Sequence, residues 1–244
     1  MKICIILLFA CMLSNTAQSQ SLQSIIDGYQ KAVGGKEKYP ESASVIIKSK
    51  TQGGGGGEKR PMVFTLKSPD KARMDFIFQP GLTYVQAFDG TNGWTIQPWT
   101  GSNDPQPLNE DDSKDAKRMV KMVWNDLLLN GSDGSAIEYS GKDEIEGSEV
   151  YKITAKSPDG ASRMYYLDID SYLIIKTTVK YNESGVARES DSFYSEYKVI
   201  DGRTLPYNIE SKANGETVGV SYIEAYQFDK QVDDSFFLMP SKSK

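Results

Sequence analysis

The sequence predicts one domain made mainly of antiparallel β-strands, with two helices that cover the sheet. Three observations support this fold class. About twelve short runs alternate apolar and polar residues with the period of two that is typical of strands. Most connections between these runs are short and rich in Gly, Asp, Asn and Pro, as in hairpins. Only two segments have the spacing of an amphipathic helix.

The first nineteen residues are predicted to be a cleaved secretory signal peptide. A basic start, an apolar run over residues 3–13 and a small-residue pattern over residues 17–19 follow one another in the required order. This run has 11 residues, whereas a membrane helix needs about 20. A retained anchor and a lipid-modified Cys11 are the alternatives. Cleavage would remove Cys4 and Cys11 and leave residues 20–244 as one thiol-free domain, stabilised by core burial.

The first predicted helix follows directly. Ser21 can cap its start, and Gly34 and Gly35 can end it in a left-handed conformation. Its apolar stripe, which we expect to face the core, comprises Leu22, Ile25, Ile26, Tyr29 and Val33.

Five successive strands are then predicted to form a meander. The five glycines at residues 53–57 lack the Lys-Ser/Thr and the helix start of a phosphate-binding loop, so they are interpreted as a flexible hairpin tip. The five strands span Val45 to Lys50, Pro61 to Lys67, Ala72 to Phe78, Leu82 to Phe88, and Trp94 to Trp99.

A second, more apolar helix is predicted after a polar insertion over residues 101–113. Lysines and arginines occupy its other face, and Gly131 is expected to end it. Such a helix should cover a large apolar surface of the sheet. Its apolar positions are Ala116, Met119, Val120, Val123, Trp124, Leu127 and Leu128.

Seven further strands complete the prediction. Compact turns join them, so neighbouring strands should pair antiparallel. Neither a linker-like break nor an internal repeat divides the chain, which favours one domain. These strands span Ala136 to Lys142, Glu149 to Lys156, Arg163 to Asp168, Tyr172 to Tyr181, Arg188 to Val199, Arg203 to Lys212, and Thr217 to Phe228.

Composition excludes several classes of function. The chain has no histidine, which rules out Ser-His-Asp and Cys-His catalysis and His-containing zinc sites. The net charge is −5 with both signs interspersed, so nucleic-acid binding is not expected. Acidic pairs such as Asp111-Asp112 lack the spacing of a calcium loop, and no metal or cofactor is predicted. A protein that is not an enzyme is therefore predicted, and a carboxylate-dependent esterase or glycosidase is the weakest alternative.

Two segments of the chain carry a family pattern. In residues 68–76, a Pro and then Arg73 precede a strand, and in residues 88–98 an Asp-Gly leads into an aromatic strand that ends near Pro98. These segments resemble the LolA/LolB family of periplasmic lipoprotein carriers. Gly34-Gly35, residues 147–153 and residues 201–206 resemble the related outer-membrane lipoprotein-sorting proteins. The long insertion over residues 101–113 departs from the classical carriers.

The resemblance implies an open, incomplete β-barrel of about 10–12 strands around a helix-covered cavity for acyl chains. Solid packing of the same apolar side chains on the helices is the alternative. Trp94, Trp99 and Trp124 offer large apolar surfaces, although structural burial is the default for tryptophan. The predicted cavity and lid residues are Met74, Phe76, Phe78, Tyr84, Trp94, Met119, Val123, Trp124 and Leu127.

Arg73 is the one residue to which the resemblance assigns a specific role. In the family, this arginine contacts the covering helices and helps keep the cavity shut, which suits a guanidinium with several hydrogen-bond donors. An ion pair with Asp70 or Asp75 at the edge of the sheet is an equally good interpretation.

A periplasmic carrier that holds lipid or lipoprotein acyl chains, and so takes part in lipoprotein sorting to the outer membrane, is the predicted function. The expected partners are lipid, an inner-membrane releasing transporter and an outer-membrane receptor, with a monomeric carrier. A non-enzymatic envelope protein that uses the same fold with a filled core, as a structural or interaction protein, is the alternative.

Overall fold

The computed structural model describes residues 21–40, 43–183 and 186–241 of the 244-residue chain. The predicted signal peptide, with Cys4 and Cys11, lies outside the described residues. Within the described part of the chain, no helix is long and apolar enough to span a membrane.

Fifteen strands are present in the described residues, and thirteen of them form one antiparallel sheet. The sheet order is β6-β5-β4-β3-β2-β1-β15-β14-β11-β10-β9-β8-β7, so its two edges do not pair with each other. The prediction of an open antiparallel sheet is confirmed. The strands are β1 (Ser44–Gly53), β2 (Arg60–Lys67), β3 (Lys71–Gln79), β4 (Leu82–Phe88), β5 (Gly93–Ile96), β6 (Gln106–Pro107), β7 (Ala136–Ile145), β8 (Ser148–Lys156), β9 (Ser162–Asp168), β10 (Ile174–Glu183), β11 (Val186–Ser195), β12 (Lys198–Ile200), β13 (Arg203–Leu205), β14 (Asn208–Ala213) and β15 (Glu216–Phe228).

Two of the predicted long strands are each divided in two, which raises the count above the expected number. Glu196 has a positive φ of 54° and separates β11 from β12. Pro206 separates β13 from β14, since proline cannot donate to a strand ladder. Strands β12 and β13 pair only with each other, as a separate hairpin. The strand predicted to reach Trp99 ends at Ile96, and a 3₁₀ helix follows at Pro98–Thr100.

Helix α1 (Leu22–Ala32) forms as predicted. The Ser21 hydroxyl accepts a hydrogen bond from the Ser24 amide at 3.2 Å, which caps the first turn. At the other end, Gly34 has φ 105°, and a Cβ there would lie 1.9 Å from the Gly202 carbonyl oxygen. Glycine therefore allows the end of α1 to pack against the β12–β13 hairpin.

The central helix is broken, and the prediction of one continuous helix is wrong. It consists of α2 (Glu110–Arg118), a 3₁₀ helix (Met119–Met122) and α3 (Asp126–Leu129), which together are called the covering segment here. Asn125 interrupts the helix because its side chain caps α3 and accepts from the Leu128 amide at 2.9 Å. Asn130, with φ 50°, ends α3 one residue before Gly131.

Two apolar clusters lie on opposite faces of the sheet. The main cluster packs α1 and the covering segment against residues such as Ile47, Leu66 and Tyr165, and this side is called the inner face. A smaller cluster of Val85, Ala87 and Trp94 lies on the outer face. The C-terminal 3₁₀ helix Asp234–Phe237 contacts β3 and accepts a hydrogen bond from Trp94 there.

Candidate functional site

The structure divides the predicted cavity residues of β3 to β5 between the two faces. Ala72 belongs to the main core, so Met74 and Phe76, two and four residues on, also lie on the inner face. Tyr84 pairs with Phe76 and shares that face. Trp94 pairs with Ala87 on the outer face, is only 1% exposed, and donates its indole N–H to the Phe237 carbonyl at 2.7 Å. Trp94 therefore does not line the same surface as the others.

The predicted lid residues lie inside the main core. Val123, Trp124 and Leu127 are at most 5% exposed, and Met119 packs against them from the side. The covering segment is also tied to α1, because the Gln30 amide donates to the Leu127 carbonyl at 3.0 Å. This part of the inner face is closely packed around Trp124 and Leu127, with a small cavity of about 50 Å³ beside Val123 and Leu128.

A buried carboxylate fixes the covering segment to the sheet. Asp126 is 1% exposed and accepts from Lys121 Nζ at 2.5 Å, the Tyr165 hydroxyl at 2.6 Å and the Ser135 hydroxyl at 3.1 Å. Burial alone would raise the pKa of Asp126, but the charge and hydrogen bonds of Lys121 and Tyr165 outweigh it, so the pKa lies below its ordinary value. Burial beside this carboxylate raises the pKa of Tyr165 well above its ordinary value.

Arg73 lies on the outer face, on the opposite side of the sheet from the covering segment. Its Nε and Nη2 donate to the two carboxylate oxygens of Asp75 at 3.0 and 2.8 Å. The guanidinium also stacks over the Phe236 ring, 4.5 Å from its centroid, and donates to the Phe236 carbonyl. Arg73 thus holds the C-terminal 3₁₀ helix in place, and its ion pair is the one with Asp75.

Four aromatic rings on β3, β4 and the 3₁₀ helix after β5 form a connected group. We call Phe76, Phe78, Tyr84 and Trp99 the aromatic surface. Phe76 and Phe78 meet edge to face with centroids 4.8 Å apart, Trp99 stacks on Tyr84 at 5.3 Å, and Phe78 meets Trp99 at 6.0 Å. Trp99 is 60% exposed and the other three are partly exposed. A partly exposed group of rings of this kind is a candidate contact surface.

A cleft of about 700 Å³ with a mainly apolar lining lies beside α2, at the turns that follow β2, β4 and β8. Its charged walls are largely neutralised within the protein, since Lys114 pairs with Glu110 at 2.7 Å and Arg118 with Asp159 at 2.7 Å. The rest of its lining includes the apolar side chains of Phe88, Val120 and Leu129, so the cleft has walls of the kind that an acyl chain needs. It is lined by Ser68, Pro69, Asp70, Phe88, Thr91, Glu110, Ser113, Lys114, Lys117, Arg118, Val120, Lys121, Leu129, Ser132, Asp133, Ser157, Pro158 and Asp159.

Sequence reasoning left Trp99, Met62 and Arg60 out of the candidate site. Met62 pairs with Phe76, and Arg60 lies two residues before it on the same face of β2. Counting by two from the buried Leu66 back along β2 would have found both. Trp99 carries a weaker signal, because it lies beyond the end of β5, where the period of two no longer applies.

Together these features define an open antiparallel half-barrel with a packed region and an exposed aromatic region on one face. The fold is that of the LolA superfamily structures, and the resemblance noted in the sequence is confirmed at this level. A LolA superfamily protein from Nitrosomonas europaea superposes with a TM-score of 0.57 at 15% identity, covering 90% of this chain and 98% of the other.

Two further solved structures have the same fold. A DUF1329 family protein from Desulfovibrio piger gives a TM-score of 0.56 at 16% identity, covering 88% of this chain and 97% of the other. An outer membrane lipoprotein-sorting protein domain from Vibrio parahaemolyticus gives 0.54 at 12% identity, covering 87% and 94%. No protein-family model matches the sequence, and no curated protein does. At these identities the likeness defines the fold.

Proposed function

We propose that the protein is a non-enzymatic carrier that holds an acyl chain of a lipid or lipoprotein on the aromatic surface. The observation that carries the proposal is the exposure of Trp99 and its three partner rings on the inner face of a sheet with the LolA fold. The lipoprotein-sorting domain with the same fold supports lipid as the cargo. An exposed tryptophan stacked on a tyrosine adds nothing to core packing that a polar residue would not, so a binding role accounts for it best.

The energetics of an acyl chain fit this surface. Removing one methylene from water yields about 0.8 kcal/mol, so six methylenes laid across the rings would contribute about 5 kcal/mol before the entropy cost of binding. Met62 and Met74 flank the rings on the same face, and their flexible thioethers can adapt to chains of different shape. Affinity in about the millimolar range is expected from these contacts alone, which allows a carrier to release its cargo.

The proposal places the protein in the periplasm, after removal of residues 1–19. A monomeric carrier there would need a donor and an acceptor for its lipid, so the proposed partners are an inner-membrane releasing transporter and an outer-membrane receptor. Native mass spectrometry of the mature protein from its own envelope fraction, followed by lipid extraction, would identify the cargo. An empty protein that also fails to bind a fluorescent fatty acid would refute the carrier.

A matched pair of variants tests the location of the site. Trp99→Ala should weaken fatty-acid binding about tenfold, equivalent to ~1.4 kcal/mol, because the stacked ring supplies much of the apolar contact. The unfolding midpoint should stay unchanged, since Trp99 is 60% exposed. Val199→Ala is the control, because Val199 is 68% exposed on the separate β12–β13 hairpin. Equal weakening by both variants would contradict the assignment.

A second function is favoured by the complete burial of Trp124 and Leu127. The inner face beneath the covering segment is filled, as expected of an envelope structural or interaction protein that binds no lipid. Under this alternative the aromatic surface would contact a protein partner. Absence of both extractable lipid and fatty-acid binding, together with an unchanged fold of the Trp99→Ala variant, would favour it.

A further inference from the structure

We propose that the site takes an anionic amphiphile, whose phosphate or carboxylate group binds Arg60 and whose chain lies on the aromatic surface. This inference rests on the proposed lipid-binding function and adds the class of ligand and its orientation. It is carried by Arg60, which is the first residue of β2 and shares the inner face with Met62 and Leu66.

Arg60 is a cation without a carboxylate partner in the described residues. Its guanidinium carbon lies 5.4 Å from the centroid of the Phe78 ring, so the positive charge borders the aromatic surface directly. The Nε atom is buried and has no hydrogen-bond partner in the described part of the chain. A buried donor left unpaired is costly, and an anionic ligand oxygen that accepts from it would remove that cost.

Two hydroxyls extend this polar end across the neighbouring strands. Thr51 on β1 pairs with Arg60 on β2 and, on its other side, with Ser221 on β15. The three side chains therefore form one row on the inner face. Adjacent strands lie about 4.8 Å apart, and Thr51 Oγ1 and Ser221 Oγ are 2.9 Å from each other. One hydrogen is used between the two hydroxyls, which leaves one hydroxyl donor beside the guanidinium, a set that suits a tetrahedral phosphate or a planar carboxylate.

The two rows fix the direction of the ligand. Met62, Phe76 and Tyr84 pair in sequence across β2, β3 and β4, next to the row that ends at Arg60. An amphiphile with its head on Arg60 and Thr51 can therefore lay its chain over Phe78 and Phe76. The immediate inner-face neighbours of Arg60 on β1, β2 and β3 are uncharged, so its charge is not neutralised locally.

Binding of three twelve-carbon probes tests this inference: dodecanoate and dodecyl phosphate below their micelle concentrations, and dodecanol below its solubility limit. The unmodified mature protein should bind the two anions at least about tenfold more tightly than dodecanol, equivalent to ~1.4 kcal/mol. A preference for only one of the two anions would support the inference and identify the head group as a carboxylate or a phosphate.

Variants locate the anion preference. Arg60→Gln should abolish it and leave dodecanol binding within twofold, whereas Arg60→Lys should retain part of it. Lys59→Gln is the matched control, because it removes the same charge one residue away, where Lys59 stacks on Tyr222 at 3.4 Å. Circular dichroism checks that Arg60→Gln folds, and Thr51→Val, which removes one hydroxyl at constant shape, should independently weaken anion binding.

Two results would overturn the inference and are distinguishable. If Arg60→Gln and Thr51→Val bind all three probes like the unmodified protein, the head group does not bind here, while the proposed lipid-binding function stands. If the unmodified protein binds none of the probes, the proposed function fails together with the inference.

Discussion

Replacing Asp126 with alanine should destabilise the protein strongly without changing any surface group. The carboxylate is 1% exposed and accepts hydrogen bonds from Lys121, Tyr165 and Ser135. Its removal leaves the buried Tyr165 hydroxyl without its acceptor and the nearby Arg163 without its carboxylate at 4.0 Å, while Lys121 keeps only its second partner, Asp133. Breaking a buried ion pair in this way typically costs about 3–5 kcal/mol. We expect the free energy of unfolding in urea to fall by roughly this amount.

The pH dependence provides an independent check of this carboxylate. The pKa of Asp126 is lower in the folded protein than its ordinary value of 3.8, so its contribution is fully present above about pH 4 and is lost as the pH falls through the folded-state pKa. The difference in the free energy of unfolding between the unmodified protein and Asp126→Ala should therefore become smaller only at acidic pH. Glu149→Ala, which breaks an exposed pair with Lys142, is the control and should leave the midpoint unchanged. A loss below about 1 kcal/mol for Asp126→Ala would refute the reasoning.

Two further predictions concern the outer face and the tyrosines. Phe237→Ala removes a fully buried ring from the C-terminal 3₁₀ helix, whose Phe237 carbonyl accepts from the Trp94 indole, and should cost about 3–5 kcal/mol in urea unfolding with a red-shifted indole emission; an unchanged midpoint would show that the C-terminal helix contributes nothing. Burial raises the pKa of Tyr39 to about 12 against the opposing charge of Arg203, so its contribution is present below pH 10 and declines as pH rises towards 12. In an ultraviolet titration, the tyrosinate absorbance of Tyr39→Phe should therefore match that of the unmodified protein up to pH 11. A smaller absorbance increase in the variant below pH 11 would contradict the burial of Tyr39.

The strands were predictable because alternation depends on burial alone, whereas their interruptions depend on single residues. Pro206 is visible in the sequence and could have divided the strand predicted over residues 203–212, but Glu196 takes a positive φ with no signal of its own. The prediction of one continuous helix in the covering segment was wrong for another reason. Its apolar spacing continues through the break, because Val120, Trp124 and Leu127 all face the same core although the helix is interrupted at Asn125.

The register of each hairpin determines the face of the sheet on which a site residue lies. The β4–β5 hairpin pairs Phe88 with Gly93, which places Trp94 opposite Ala87 and on the other face from Phe88 and Tyr84. Counting outward from the Asp89-Gly90 turn would have given this result. The position of Arg73 on the outer face follows in the same way from its pairing with Ala87. The ring contacts of Trp99 could not be predicted, because they depend on how the chain turns after β5.

The inner face combines a filled region with an open one, and this division bears on how cargo would enter. Beneath the covering segment, Trp124 and Leu127 occupy the space that a chain would need, and opening it would break the buried network of Asp126. At the Arg60 end, by contrast, the inner-face positions of β15 and β1 carry the small hydroxyl residues Ser221 and Thr51. Large apolar residues would be expected there in a filled core. Under the proposed function, lipid would therefore reach the aromatic surface while the covering segment stays closed. Asp126→Ala should then lower stability but leave the fatty-acid affinity of the remaining folded protein unchanged; a parallel loss of affinity would instead assign the covering segment the role of a lid.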